Sequence, residues 1–115
     1  MENVYSGGWV DATMAFQKAL QEAAVTEGKV HKAKVGKKEF ALVRMGGVVY
    51  CIDGICTHEG GPLGEGTLDD GELVCPLHEG RFDFKTGTAN PETDWVTDVK
   101  SYKTKVEDGY VWIDF

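Results

Sequence analysis

A chain of 115 residues has room for one compact domain and not for a second, catalytic one, because at this length roughly two thirds of the unfolded surface can be buried around a single core. Hydrophobic residues at 42% and charged residues at 27% are those of a globular protein and exclude a disordered or fibrous chain. The formal net charge of −7, from 19 acidic against 12 basic residues, argues against nucleic acid as a partner, and no concentrated basic patch is visible.

In chain order, Val4 to Val10 reads as a short strand interrupted by Ser6-Gly7-Gly8, followed by Asp11 or Thr13 as a helix cap. Phe16, Ala19, Leu20, Ala23 and Ala24 recur at helical spacing, which predicts one short N-terminal helix over about 13–24, packed on the sheet and ended by Thr26-Glu27-Gly28. From Lys29 the period falls to two. Val30 to Val35, Glu39 to Arg44 and Val48 to Asp53 are rich in β-branched and aromatic residues and are separated by glycine-containing turns, so they are expected to be consecutive antiparallel strands. A glycine-rich loop spans Gly54 to Gly66, a turn at Leu68-Asp69-Asp70-Gly71 leads into a short strand ending at Cys75, and a second loop runs from Pro76 to about Gly87. Val99 to Val106 and Tyr110 to Ile113 close the sheet. The expected class is therefore all-β, an antiparallel base carrying two paired loops in one domain over 1–115.

No stretch approaches the ~20 apolar residues of a membrane span, and the first eight residues lack a basic segment followed by an apolar run, so a cytoplasmic protein is expected. Three cysteines, an odd number without a secretory signal, point to metal chemistry and not to a disulfide framework. They fall in an informative pattern. Cys56-Thr57-His58 and Cys75-Pro76-Leu77-His78 each supply one thiol and one imidazole, with sixteen residues, Glu59 to Val74, between the pairs. Zinc accepts two cysteines and two histidines, which leaves a zinc-binding interaction module open, although zinc fingers pair cysteine with cysteine and histidine with histidine. The mixed order suits a [2Fe-2S] cluster: with the loops face to face, Cys56 and Cys75 meet on an inner iron and His58 and His78 on an outer one. Two ferric ions, two sulfides and two thiolates sum to zero charge, so adding an electron costs less than it would in a doubly negative four-thiolate centre.

Cys56-Thr57-His58-Glu59-Gly60-Gly61-Pro62-Leu63 and Cys75-Pro76-Leu77-His78-Glu79-Gly80-Arg81-Phe82-Asp83 resemble the ligand loops of the Rieske-type ferredoxins, the electron-transfer components of bacterial aromatic-ring dioxygenase and related oxygenase systems. The resemblance covers roughly Lys29 to Phe115. It implies a β-sheet base domain with a cluster-binding subdomain at about 54–91, one [2Fe-2S] cluster on Cys56, His58, Cys75 and His78, and two partners, a flavin-containing reductase and a terminal oxygenase. It also implies a low-potential one-electron carrier, here expected to be a monomer, that is a component of a multicomponent system and not itself an enzyme. The small Rieske subunit of an assimilatory nitrite reductase shares the motif and is the alternative.

Respiratory Rieske proteins carry an extra cysteine in each loop, forming a disulfide, and Ser and Tyr hydroxyls that donate to sulfur. The corresponding residues here are Gly61, Leu77, Gly80 and Phe82, so the potential is expected at the low end of the Rieske range. The resemblance also implies a proline loop over the cluster, a place taken by Asn90 to Trp95, with Trp95 expected to pack. Glu59, Pro62, Leu63, Glu79 and Pro91 are expected to rim a docking surface. Cys51, within a strand, reads as a buried hydrophobe, and His31 as solvent-facing; Arg81 and Asp83 read as loop or salt-bridge residues.

Overall fold

The computed structural model describes residues 16–57 and 60–115. Among the described residues, ten strands form three antiparallel sheets. The central sheet has the order β2-β3-β4-β8, with β2 at Val30–Val35, β3 at Lys38–Met45, β4 at Val48–Asp53 and β8 at Ser101–Tyr102. A second sheet joins β1 (Phe16–Gln21), β10 (Tyr110–Asp114) and β9 (Thr104–Glu107) in the order β1-β10-β9. A small third sheet contains β5 (Thr67–Asp69), β6 (Glu72–Val74) and β7 (Arg81–Asp83).

The run Phe40-Ala41-Leu42-Val43 explains the layering. All four residues are buried, which a strand achieves only when both its faces are covered. Phe40 and Leu42 join Val49, Cys51, Val111 and Ile113 in a core against the β1-β10-β9 sheet. Ala41 and Val43 point the other way and join Ile52, Leu63, Leu73, Phe82 and the two cysteines Cys56 and Cys75 in a second core. β3 and β4 thus form a wall with a separate core on each side.

The helix expected over about 13–24 is corrected, and its first three residues, like the strand and cap expected between Val4 and Thr13, lie outside the described residues. Phe16–Gln21 is a strand paired with β10, and only Glu22–Ala24 makes a single 3-10 turn. The cause is a β-bulge. Lys18 pairs with Trp112 and Gln21 with Tyr110, so three steps on β1 match two on β10. One extra residue shifts the alternation and leaves Phe16, Ala19 and Leu20 all half-buried, a spacing that imitates a helical face. The second loop is also shorter than expected, because Arg81–Asp83 pairs with β6 and buries Phe82 completely. No helix among the described residues is long and apolar enough to cross a membrane.

Candidate metal centre

Two hairpin-like loops rise from the second core, and each is closed by the same hydrogen bond. The Cys56 amide donates to the Gly61 carbonyl at 2.7 Å, and the Cys75 amide donates to the Gly80 carbonyl at 2.8 Å. A β-bridge between Ile55 and Pro62 extends the first closure, while β6 and β7 extend the second. Both loops turn through left-handed backbone just before their closing glycine, at Gly60 (φ 68°) in one and at His78 (φ 68°) and Glu79 (φ 60°) in the other. For His78 and Glu79 this conformation is unfavourable, and the closing bonds on either side hold it in place.

The loops pack tightly where they meet. A Cβ on Gly61 would lie 2.5 Å from the Cys75 sulfur and 3.0 Å from the Leu77 Cβ, so only glycine allows this approach. The same geometry sets positions 61 and 77 side by side, as expected for residues that elsewhere carry a disulfide. Cys56 and Cys75 are buried, with their thiols in hydrogen-bonding contact, whereas His78 is exposed at the loop surface. Burial pushes the Cys75 thiol above its ordinary value and the neighbouring Cys56 adds to this, while the Leu77 amide donates to the sulfur and pulls the other way. Two thiols sharing a buried floor become thiolates when cationic metal is beside them, and ferric ions supply that charge. Paired buried sulfurs below an exposed imidazole are a donor set that fits a two-iron cluster with unlike ends. His58 and Glu59 lie outside the described residues.

A third segment, 90–97, packs beside both loops. Val96 fills the space that a Cβ on Gly80 would need, at 2.6 Å. The Asn90 side-chain amide donates to both carboxylate oxygens of Glu72 at 2.9 and 3.2 Å, and Glu72 also accepts from Arg81 at 2.7 Å. Arg81 reaches Asp69 as well, so its salt-bridge role is as expected. Asp83 caps its own turn by accepting from the Lys85 amide at 2.7 Å.

Three expectations change or sharpen. Trp95 is not a packing residue: it is 44% exposed, at the outside of the third segment. Leu63 cannot rim a docking surface, because it is fully buried in the second core, whereas Glu79 and Pro91 are exposed and Pro62 is half-buried. His31 is half-buried and occupied structurally, its Nε2 accepting from the Thr26 amide at 3.0 Å. Cys51 is buried as expected, and burial raises its thiol far above the ordinary range. Sequence reading missed Thr57, whose hydroxyl bonds to Thr97 forty residues away; no local pattern signals such a contact.

Comparison with known proteins agrees with this geometry. A family model for the Rieske [2Fe-2S] domain matches residues 15–103. The ferredoxin component of the naphthalene 1,2-dioxygenase/salicylate 5-hydroxylase systems of Ralstonia sp is 39% identical over 99 residues, covering 86% of this chain and 88% of the relative. Among solved structures, the ferredoxin of carbazole 1,9a-dioxygenase from Nocardioides aromaticivorans IC177 superposes with a TM-score of 0.76 at 28% identity, covering 87% of this chain and 97% of that one. A ferredoxin chain in a complex of reduced oxygenase and oxidized ferredoxin of carbazole 1,9a-dioxygenase superposes with a TM-score of 0.75 at 26% identity, covering 88% and 94%.

Proposed function

This chain belongs to the Rieske [2Fe-2S] domain family, and from that premise we propose that it is the one-electron carrier that takes electrons from a flavin-containing reductase and delivers them to a terminal Rieske oxygenase. It binds one [2Fe-2S] cluster, which when bound accepts and releases a single electron. Cys56, His58, Cys75 and His78 would hold it, within a subdomain of about 54–91 in a single domain. The observation that carries this reading is the pairing of two buried cysteines at the bases of two loops closed in the same way, with His78 at the surface above them.

The residues divide the work. The second core shields the thiols from water, the Leu77 amide donates to the Cys75 sulfur, and the exposed His78 edge offers a short exit for the electron. Leu77 and Trp95, 39% and 44% exposed, supply apolar contact beside that exit, and Glu79 supplies charge for steering. No substrate chemistry belongs to the chain itself. A terminal oxygenase needs a second iron on two histidines and a carboxylate, and with His58 and His78 committed only His31 remains, already engaged by Thr26. The carrier works as a cytoplasmic monomer.

Purified protein should bleach when NADH and a flavoprotein reductase are added, and its visible colour should return when a terminal oxygenase of a ring-dioxygenase system follows. Failure of every such oxygenase to reoxidise it, together with co-purification of a sirohaem enzyme, would overturn the reading in favour of a nitrite reductase subunit.

A further inference from the structure

The acidic side chains near the ligand loops are of two kinds. Glu65, Asp69 and Glu72 are matched within the molecule, the first by Lys32 at 3.1 Å and the other two by Arg81 at 2.9 and 2.7 Å. Segment 90–98 differs, for it carries Glu92, Asp94 and Asp98 and no basic residue. Among the described residues, none of these three carboxylates is in a salt bridge.

Asp94 and Asp98 line one open groove of about 600 Å³. Its apolar lining comes from Ala89, Pro91 and Val96, and no described residue lining it is basic. Val96 is buried against Gly80, so the groove lies directly beside the second ligand loop. The Asp98 carboxylate is held in place there, its Oδ1 accepting from the Ala89 amide at 2.8 Å. Apolar surface and two carboxylates in one groove suit a lysine or arginine, whose methylene stem covers the apolar part while its head pairs with the acids.

We propose that this groove is a socket for a lysine or arginine side chain of the terminal oxygenase. The proposal rests on the reading that the chain carries electrons to that partner. Complementarity of charge selects a cation, and redox state selects the oxygenase over the reductase. The reduced carrier has one more negative charge than the oxidised one, so a partner cation seated beside the ligand loops favours the reduced form. The oxygenase receives that form, whereas the reductase must bind the oxidised form and release the reduced one. Charge-assisted bonds in the socket also fix the orientation in which the second ligand loop meets its partner.

The test uses holoprotein and removes charge without changing shape, in Asp94→Asn, Asp98→Asn and the double variant. Asparagine at 98 retains a carbonyl to accept from the Ala89 amide. Asp70→Asn, on the turn between β5 and β6 and outside the groove, makes the same change in net charge as either single variant. Calorimetry gives the dissociation constant of each oxidised carrier for a terminal oxygenase that reoxidises the parent, and for the reductase that reduces it, at low and high salt. Each single groove variant should weaken binding to the oxygenase by about tenfold at low salt, with the visible spectrum of the carrier unchanged. High salt should weaken the parent more than the double variant. Asp70→Asn should stay within about twofold of the parent, as an exposed charge outside the interface does.

Groove variants that bind the oxygenase as Asp70→Asn does overturn the socket. A loss as large or larger for the reductase overturns the assignment to the oxygenase. Should Asp98→Asn assemble no cluster, Asp94→Asn decides alone. If no terminal oxygenase reoxidises the parent, the functional reading falls and the socket falls with it.

Discussion

The two faces of the central sheet carry cysteines of opposite character. On one face Cys51 lies among Phe40, Leu42, Val49, Val111 and Ile113, enclosed by the β1-β10-β9 sheet. On the other, Cys56 and Cys75 share a core with Leu63, Leu73 and Phe82, directly beneath two loops that open to the surface. All three thiols are about equally buried, so burial alone does not mark a metal site. The difference is company: Cys51 has apolar neighbours, whereas Cys56 and Cys75 have each other, a backbone amide and a nearby exposed histidine. Strand alternation enforces the separation, since Cys51 and Ile52 must point to opposite faces.

The strongest way to break this comparison is to remove each thiol in turn. Cys56→Ser and Cys75→Ser should each abolish cluster assembly, leaving colourless protein, while Cys51→Ser should retain the full visible spectrum at a modest cost in thermal stability. Loss of colour in the Cys51 variant alone would reverse the assignment of the faces.

The potential sharpens the same contrast. Gly61, Leu77, Gly80 and Phe82 provide neither a loop disulfide nor hydroxyl donors, so the sulfurs depend on backbone donors such as the Leu77 amide. Protein-film voltammetry at neutral pH should give a midpoint near the about −150 mV end of the Rieske range, and a value above about +100 mV would contradict the account.

A smaller effect is expected at the rim. Trp95→Ala should weaken docking to the oxygenase by about tenfold with the midpoint unchanged, because an exposed aromatic anchor contributes to the interface and not to the cluster. Kinetics of oxygenase reduction at varied concentration would read this.

The smallest effect lies on the Cys51 face, at Asp53 on β4. Burial by itself would raise its carboxyl, but it accepts from the Tyr102 hydroxyl at 2.6 Å, the Lys100 amide at 2.9 Å and the Lys38 ammonium at 3.3 Å, and the net shift is downward. Because the folded value lies below the unfolded one, ionised Asp53 stabilises the protein at neutral pH. That contribution should fade as pH drops from about 4 through the lowered folded value, and Asp53→Asn should remove about 1 kcal/mol at pH 7. Denaturant unfolding of both proteins across pH 3–7 is the check; an equal loss at every pH would refute it.

How far the sequence could be read follows from the range of the interactions. β2 and β4 match their expected spans because period-two alternation is a local property, and the ligand motif was legible because its chemistry is concentrated in a few adjacent positions. Phe16–Gln21 was misread because a bulge depends on the partner strand, which lies some ninety residues away in sequence. Arg81–Asp83 offers three residues, too few for a pattern. The exposure of Trp95, the burial of Leu63 and the Thr57 contact all arise from the packing of distant segments, and composition does not record it.

The central claim is that the two paired loops hold a two-iron cluster, and metal analysis of native protein purified without chelators tests it most directly. Two irons and two acid-labile sulfides per chain are expected, as one [2Fe-2S] cluster requires. Stoichiometric zinc without labile sulfide would contradict it.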